Sequence, residues 1–376
     1  MIINGGAARS CNDDVGPLAF ERITIVGGGA WGTALALTAH RAGRRVMLWA
    51  REAAVVDTVA RTGRNPFLPS AELPAGITVT ADLAAALGAT DLVVLVSPSQ
   101  HLRATARRVE VLLTAAVPVV ICSKGIEAGT GLLMGQVVTA EMPGRPQAVL
   151  SGPTFATEVA DDVPTAVTIA APLMRENFHH DHLAARVAVS LATATFRPYL
   201  SDDPVGVEIG GAVKNVLAIA CGIAAGLGMG ANTRAALVTR GLAEIIRLGV
   251  AAGARTDTLC GLAGAGDLML TCSSEQSRNF SYGKALGEGR RPIVDEDGPV
   301  VEGAVNAHAV ACLAADLDVE MPICQAVQAV LRGQPIAETI GRLMTSDLRA
   351  EPPSLENGRR IPHPVRFARR QVGISL

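Results

Sequence analysis

A glycine-rich turn close to the start of the chain constrains the fold more than any other feature. The apolar run Ile23–Val26 leads directly into Gly27-Gly28-Gly29-Ala30-Trp31-Gly32, which has the spacing GxGxxG and precedes a helical pattern. In such a strand–turn–helix unit the first glycine permits the tight turn, the second lets the backbone approach a pyrophosphate, and the third lets helix and strand pack closely. The helix N-terminus offers free N–H groups to the phosphates. The unit predicts a dinucleotide site with Gly27, Gly29, Ala30, Trp31 and Gly32 at the cofactor.

Strand and helix patterns continue to alternate through the first half of the chain. Apolar runs typical of strands occur at Val46–Trp49, Asp91–Val96, Pro118–Cys122, Ala148–Leu150 and Ala166–Ala170. Hydrophobic residues make up 49% of the chain but aromatic residues only 3%, so the core is mostly aliphatic, as buried parallel strands require. This βαβ order predicts an α/β Rossmann-like domain with a doubly wound, mostly parallel sheet.

The second half of the chain loses the strand pattern after about Pro198. Helical patterns cover Val205–Ala231, Thr233–Ala252, Ala304–Ala315 and Pro322–Leu331. We therefore expect a second, all-α domain. The predicted organisation is a mobile N-terminal extension over 1–21, a dinucleotide-binding domain over 22–198, a helical substrate domain over 199–349 and a poorly ordered, proline-rich tail over 350–376.

Bulk composition excludes several classes of function. The net charge of −2 does not favour a nucleic-acid surface. The apolar stretch Val216–Ala231 is shorter than the roughly 20 residues that a spanning helix needs, so we expect a buried helix and no stable membrane insertion. Seven unpaired cysteines without a secretory signal predict reduced thiols and a cytoplasmic location. His179, His180 and His182 lack the partners of a metal shell, and we expect no metal.

The end of the second strand bears on the choice between NADH and NADPH. Arg51 and Glu52 stand there, where NAD enzymes commonly place an acidic residue that holds the ribose hydroxyls. The planar guanidinium of Arg51 can instead bind a 2′-phosphate, which favours NADPH. Two alternatives stay open: Arg51 is solvated and paired with Glu52, or Glu52 turns inward and NADH is also used.

Several short motifs follow one another in order between about Arg22 and Arg342. They are Ile25–Thr33, Val46–Arg51, Ser123–Glu127, Ser151–Ala156, Gly211–Val216, Asn232–Glu244, Gly264–Leu268, Gln276–Asn279, Val300–Gly303 and Glu320–Ile323. Together they resemble the bacterial glycerol-3-phosphate dehydrogenases. The resemblance implies a helical domain like that of 6-phosphogluconate dehydrogenase, with the active site in the cleft between domains. It also implies reversible hydride transfer between NAD(P)H and dihydroxyacetone phosphate, giving sn-glycerol 3-phosphate for glycerophospholipid synthesis. A homodimer is a further expectation.

Lys214 is the expected general acid–base, because it matches the residue that the family uses as proton acceptor. It stands beside small residues and before a long apolar stretch, and desolvation there lowers the pKa of an ammonium group. By resemblance, Lys124 contacts both substrate and cofactor, and Asp267 holds Lys214 or a substrate hydroxyl. The alternatives are that Lys214 is a surface lysine at a helix start, that Lys124 is a solvated loop lysine and that Asp267 caps a turn or a helix.

The substrate phosphate requires a cation and free N–H donors. Arg278 supplies the charge, and Ser277, Asn279 and the start of a helix at this point supply donors. By resemblance, Arg278 also reaches the cofactor, and a structural ion pair is the alternative. The resemblance further places Gly152 and Thr154 at the substrate and Ala156, Val300 and Glu302 at the cofactor. Asn215 and Arg240 are polar residues near these motifs without an assigned role.

Two other functions compete with this interpretation. A dehydrogenase of the same two-domain architecture that acts on a 2- or 3-hydroxyacid would share the glycine loop, but Arg278-Asn279 favours a phosphate ester over a carboxylate. A non-catalytic dinucleotide sensor would have no reason to combine Lys214, Asp267 and Arg278.

Overall fold

Ten strands and fifteen α-helices are formed by the part of the chain that the computed structural model describes, residues 19–114, 117–172, 182–290 and 300–344. The strands are β1 (Arg22–Val26), β2 (Arg45–Trp49), β3 (Arg64–Asn65), β4 (Leu68–Glu72), β5 (Ile77–Thr80), β6 (Leu92–Leu95), β7 (Val119–Ile121), β8 (Gln147–Ser151), β9 (Thr165–Ala170) and β10 (Phe196–Ser201). The helices between them are α1 (Ala30–Arg41), α2 (Ala53–Thr62), α3 (Leu83–Leu87), α4 (Leu102–Leu112), α5 (Met134–Glu141), α6 (Ala156–Ala160) and α7 (Leu183–Leu191). The helices after β10 are α8 (Pro204–Gly226), α9 (Ala231–Ala251), α10 (Thr256–Leu259), α11 (Asp267–Ser273), α12 (Arg278–Gly287), α13 (Glu302–Asp316), α14 (Pro322–Leu331) and α15 (Ile336–Met344).

Eight of these strands form one sheet in the order β10-β9-β8-β7-β6-β1-β2-β5. All neighbours pair in parallel except β8 and β9, which are antiparallel. Strands β6 and β7 are buried throughout, because helices cover both faces of the sheet. The predicted Rossmann-like, mostly parallel sheet is confirmed, and its carboxyl edge is the expected position for a ligand.

Three parts of this domain were not predicted. Strand β5 is short, and strands β3 and β4 form a separate hairpin, so neither gives a long apolar run. Strand β10 contains Pro198, which lacks a backbone N–H and fits a strand at the edge of a sheet. These strands depend on pairing with a neighbour rather than on their own composition.

Helix α8 is the centre of the second domain, which is helical as predicted. Asp203 caps it by accepting a hydrogen bond from Gly206 N at 2.9 Å, and Pro204 occupies its first turn, where no N–H is needed. Among the described residues, α8 has the length and hydropathy of a spanning helix, but 83% of its apolar window is buried inside the protein. Its apolar surface is therefore covered by packing against the other helices.

The predicted helix Val205–Ala231 was wrong at its C-terminal end. Helix α8 ends at Gly226, and Gly228 adopts a positive φ of 72° before α9 begins at Ala231. Glycine adopts this left-handed conformation without steric cost, and it turns the chain between the two helices.

Glycines also allow α8 and α12 to touch backbone to backbone. A Cβ atom added to Gly283 of α12 would lie 2.2 Å from the carbonyl oxygen of Ile219 on α8. A Cβ added to Gly222 of α8 would lie 2.1 Å from the carbonyl oxygen of Phe280 on α12. Because a side chain at either position would separate the helices, this contact holds α12, and with it Arg278 at its start, close against α8.

The segments predicted to lie outside the two domains are only partly described. Phe20 falls inside the predicted extension 1–21, yet it is buried, and its backbone N–H donates to Ser190 Oγ at 2.7 Å. The rest of that extension through residue 18 and the predicted tail 350–376 lie outside the described residues. Of the histidine cluster, His182 contacts the carbonyl oxygen of Pro172 at 3.3 Å, whereas His179 and His180 also lie outside the described residues.

Candidate active site

The glycine loop follows the carboxyl end of β1 and has one open side. Gly27 has a φ of 136°, and a Cβ there would lie 2.8 Å from the carbonyl oxygen of Val96. A Cβ on Gly32 would lie 1.9 Å from the carbonyl oxygen of Gly27, so strand and helix touch at this point. Within the described ranges, nothing lies within 4 Å of a Cβ built on Gly29. The loop thus leaves its open side at Gly29, at the N-terminus of α1, where a pyrophosphate fits.

Two further loop residues fit a bound dinucleotide. Ala30 is the first residue of α1, and the backbone N–H groups of the first turn of a helix have no partners within the helix. The indole Nε1 of Trp31 is buried and finds no hydrogen-bond acceptor among the described residues. A buried donor without a partner is rare in proteins and is expected where a ligand or water supplies the acceptor.

A single buried carboxylate joins the two predicted active-site lysines. Asp267, the first residue of α11, is fully buried and accepts hydrogen bonds from Lys214 Nζ at 2.5 Å and from Lys124 Nζ at 2.7 Å. Lys214 lies on α8, and Lys124 lies in the loop after β7. The helical domain and the Rossmann-like domain therefore each contribute one cation to the same carboxylate, at the carboxyl edge of the sheet.

Burial sets the protonation behaviour of Lys214. Its side chain is 8% exposed, and desolvation lowers its pKa to about 8. The neighbouring Asp267 carboxylate opposes this effect, whereas the Lys124 ammonium adds to it. An ammonium with a pKa near neutrality can both donate and accept a proton at physiological pH, which is the property of a general acid–base.

Thr271 is a member of this site that the sequence analysis missed. Its hydroxyl accepts a hydrogen bond from Lys214 Nζ at 2.8 Å and donates one to the backbone oxygen of Asp267 at 2.6 Å. The spacing of four residues from Asp267 places both side chains on one face of α11. This four-residue spacing from Asp267 is the sequence signal that could have identified Thr271.

Arg278 and its neighbours lie at the start of α12. Ser277 caps this helix, with its hydroxyl accepting from Phe280 N at 3.3 Å. Arg278 is exposed, and within the described ranges it forms neither a hydrogen bond nor an ion pair. Its charge nevertheless reaches Glu302, where it counteracts the burial that raises the pKa of that carboxyl. Arg278 is thus a cation at a helix start, available to an anion.

The amide of Asn279 connects three helices. Its Nδ2 donates to Asn215 Oδ1 at 2.9 Å, and its Oδ1 accepts from Gly303 N at 2.8 Å. These bonds join α12 to α8 and to the start of α13. Asn279 and Asn215 therefore have a positioning task beside the predicted phosphate site.

The other predicted substrate residues surround Lys124. The carbonyl oxygen of Gly152 accepts weak hydrogen bonds from Lys124 Nζ and from Thr154 Oγ1, both at 3.4 Å. A side chain at Gly152 would meet the backbone of Val167 at 2.8 Å. Gly152 thus permits β8 and β9 to approach each other at the edge where the lysines meet.

The predicted cofactor residues lie on three separate elements. Ala156 begins α6, Val300 precedes α13, and Glu302 begins α13 and accepts a hydrogen bond from Ser99 Oγ at 2.8 Å.

Arg51 Nε donates to Glu52 Oε1 at 2.8 Å, and the side chains of both residues are exposed. This pairing is one of the two alternatives that the sequence left open. Arg240 lies on α9 and forms no hydrogen bond or ion pair with the lysine group within the described ranges.

A Rossmann-like domain with this glycine loop, completed by a helical domain that supplies a buried lysine–carboxylate pair, defines a nicotinamide-dependent dehydrogenase. Residues 22–177 match the family model for the N-terminus of NAD-dependent glycerol-3-phosphate dehydrogenase, and residues 203–341 match the model for its C-terminus. The chain belongs to the NAD-dependent glycerol-3-phosphate dehydrogenase family.

Individual relatives agree with this membership. The chain is 53% identical to a glycerol-3-phosphate dehydrogenase [NAD(P)+] of Rhodospirillum rubrum over 88% of this chain and 94% of the relative. It is 50% identical to that of Novosphingobium aromaticivorans over 89% and 99%. A crystal structure of glycerol-3-phosphate dehydrogenase from Coxiella burnetii superimposes with a TM-score of 0.80 at 39% identity, covering 87% of this chain and 99% of that chain. A ketopantoate reductase from Ralstonia eutropha, 18% identical with a TM-score of 0.56, shares the fold.

Proposed function

We propose that this chain catalyses reversible, NAD(P)-dependent reduction of dihydroxyacetone phosphate to sn-glycerol 3-phosphate. The observation that carries the proposal is the Asp267 carboxylate shared by Lys214 and Lys124 where the two domains meet. Family membership supports the substrate, and the glycine loop supports the cofactor. Bound NAD(P)H supplies the hydride that adds to the carbonyl carbon.

Lys214 is the proton donor in this mechanism. As the carbonyl carbon receives hydride, the carbonyl oxygen gains charge and takes a proton from the Lys214 ammonium, leaving a neutral amine and an alcohol. In the opposite direction the amine accepts the hydroxyl proton. The pKa of about 8 makes both states accessible, and Thr271 and Asp267 orient Nζ by accepting its other hydrogens.

Lys124 and the α12 start bind the substrate. The Lys124 ammonium stabilises the developing negative charge on the carbonyl oxygen. Arg278 binds the phosphate, with Ser277, Asn279, Gly152 and Thr154 lining the site. The charge of Arg278 acts on the Glu302 carboxyl, and Arg278 is therefore also assigned to the cofactor side of the site.

The cofactor lies along the glycine loop in this proposal. Gly27, Gly29, Ala30, Trp31 and Gly32 form the loop that would hold its pyrophosphate, with Gly29 on the open side, and Ala156, Val300 and Glu302 would border the cofactor. Arg51 leaves Glu52 to bind a 2′-phosphate, so NADPH is accepted, and NADH is used as well. The substrate domain is proposed to span 199–349. We also propose that the chain forms a homodimer, which light scattering tests, and that it is located in the cytoplasm, which cell fractionation tests.

A direct assay tests the function. Nicotinamide absorbance is followed with dihydroxyacetone phosphate, using NADH and NADPH in parallel. Ketopantoate and a 2-keto acid serve as substrates of rival enzymes with the same architecture. We expect turnover with dihydroxyacetone phosphate and little with the carboxylates. Turnover of a carboxylate substrate without turnover of the phosphate ester would overturn the proposal.

A further inference from the structure

Asn306 connects the helical domain to the loop that carries Lys124. It lies on α13, one turn after Glu302, and is fully buried. Its Nδ2 donates to the backbone oxygen of Lys124 at 3.2 Å, and its Oδ1 accepts from the backbone N–H of Ile126 at 3.4 Å. One side chain therefore binds the loop on both sides of Gly125, through two backbone groups.

Gln100 supports the same loop from the Rossmann-like domain. Its Nε2 donates to the backbone oxygen of Ile126 at 2.9 Å, and its Oε1 accepts from Ala128 N at 2.9 Å. Gln100 Nε2 also lies 3.5 Å from Asn306 Oδ1. The two amides thus form a continuous hydrogen-bonded support across the domain boundary.

Gly125 shows how tightly this support fits. A Cβ atom there would lie 2.5 Å from Ser99 Cβ and 2.8 Å from Asn306 Nδ2. The backbone of the loop therefore lies against Asn306 with no room for a side chain. Buried backbone groups require hydrogen-bond partners, and Asn306 supplies a donor and an acceptor at once.

We infer that Asn306 is a positioning residue for Lys124, holding the loop so that the Lys124 ammonium meets Asp267 and the substrate carbonyl. This inference rests on the proposed function for its consequences in catalysis. Lys124 Nζ reaches Asp267 Oδ2 at 2.7 Å from a backbone that Asn306 fixes. A misplacement of about 1 Å in a catalytic group can reduce the rate by about 100-fold.

The protein offers a direct readout, because its chain contains three lysines, Lys124, Lys214 and Lys284. Lysine labelled with ¹³C at Cε should give three NMR signals, assigned by single substitutions. The charged and titratable groups that act on Lys214 are Asp267, Lys124 and Cys272. Since the Lys124 ammonium lowers the pKa of Lys214, Lys124→Met should raise it, and the Lys214 signal should then titrate at higher pH.

Asn306→Leu and Asn306→Val separate positioning from space filling. Both side chains are uncharged and occupy the place of the amide, but neither can form the hydrogen bonds to Lys124 O and Ile126 N. We expect the Lys214 titration to move in the same direction as in Lys124→Met. We also expect kcat/KM for dihydroxyacetone phosphate to fall roughly 10- to 100-fold with unchanged cofactor affinity. Gln100→Leu, which removes the support from the opposite domain, should shift both readouts in the same direction and serves if the Asn306 variants fail to fold.

Glu244→Leu is the matched control. Glu244 is also buried, and it accepts hydrogen bonds from the start of α14, at Ile323 N and Cys324 N, instead of bonding either lysine. The Glu244→Leu substitution should lower the melting temperature without changing the pH at which the Lys214 signal titrates. Folded Asn306 variants with wild-type titration and wild-type kinetics would overturn the inference. The titration needs no substrate, so a wild-type chain inactive on dihydroxyacetone phosphate refutes the proposed function and leaves this test intact.

Discussion

At the scale of single residues, the chemistry depends on a cation that the protein has removed from water. Lys214 is buried beside one carboxylate that two ammonium groups share, so charge compensation is incomplete and desolvation dominates. The same burial that costs stability gives the ammonium a pKa of about 8. Because this pKa is lowered, folding destabilises the ammonium form of Lys214 relative to the neutral amine, compared with the unfolded chain.

Lys214→Met should remove acid–base catalysis while leaving cofactor binding in place. We expect kcat to fall roughly 10²–10⁴-fold. In the wild type, ketone reduction needs the ammonium and should decline as the pH rises through about 8, whereas alcohol oxidation needs the amine and should increase there. Both pH limbs should vanish in the variant. Lys284→Met, which removes a lysine paired with Glu275, is the control and should keep both limbs. Near-normal turnover in folded Lys214→Met would contradict the assignment.

Arg278→Ala should weaken binding of the phosphate ester. A charge-assisted hydrogen bond contributes roughly 1.5–3 kcal/mol, so KM for dihydroxyacetone phosphate should rise about 10- to 100-fold. Unphosphorylated dihydroxyacetone, which has no phosphate to lose, should show a much smaller effect. Cofactor Kd is measured in parallel because Arg278 acts on Glu302. Equal proportional losses of kcat/KM on both substrates would count against a phosphate contact.

Arg51→Ala tests the cofactor preference. In the structure the Arg51 side chain is 68% exposed and pairs with Glu52, and such a surface ion pair contributes little to stability. If a 2′-phosphate replaces Glu52 as its partner, the variant should lose about 10- to 100-fold in NADPH affinity and little in NADH affinity. Arg61→Ala, an exposed arginine on α2, should change neither. Equal losses for both cofactors would leave Arg51 as a solvated residue.

At the scale of elements, α8 carries the site and glycine determines what can pack against it. Besides Lys214, this helix carries Glu208, whose burial raises its pKa to about 7 while it accepts a hydrogen bond from Gly135 N at the start of α5. One helix thus contacts the Rossmann-like domain at its first turns, the catalytic carboxylate in the middle and α12 at its end. Its tolerance for substitution should be low along its whole length.

Gly283→Ala should disrupt the contact between α8 and α12. The new methyl group would collide with the Ile219 carbonyl oxygen, and a backbone cannot yield as a flexible side chain can. We expect a loss of roughly 1–3 kcal/mol in the free energy of unfolding and a higher KM for the substrate, since α12 begins at Arg278. Gly88→Ala, directly after α3, is the control, because Gly88 has a right-handed helical conformation and its nearest neighbour, the carbonyl oxygen of Ala84, would lie 3.5 Å from the new atom, so the change should be neutral or stabilising. Urea denaturation of the pair measures the difference, and an equally stable Gly283→Ala protein would refute a close helix contact.

At the scale of the whole molecule, every candidate site residue lies between Gly27 and Asn306, on two domains that meet where Lys214 and Lys124 share Asp267. We expect a chain of residues 19–344 to keep full activity. A chain of residues 22–344 should also be active but less stable by roughly 1.5–3 kcal/mol, because it lacks the buried ring of Phe20 and its bond to Ser190. Steady-state assays and melting curves compare the two. Loss of activity in a soluble, folded 19–344 chain would show that a removed terminus completes the site.

The sequence by itself determined the parts of this protein that local chemistry controls. The glycine loop requires its strand–turn–helix unit, because only glycine tolerates the positive φ at Gly27 and the contact at Gly32. Aliphatic runs predicted the central strands, and the order of motifs predicted the family. The choice of Lys214, Lys124 and Asp267 as a group also came from sequence, through the resemblance.

Tertiary structure decided how these pieces meet. Strand β10 and the hairpin β3–β4 exist through pairing, which no local pattern encodes. The sharing of Asp267 by two lysines, the roles of Thr271 and Asn306, and the pKa of Lys214 all depend on residues far apart in the chain. Burial is a property of the assembled fold, and desolvation acts only after the helices and the sheet have closed around the charge.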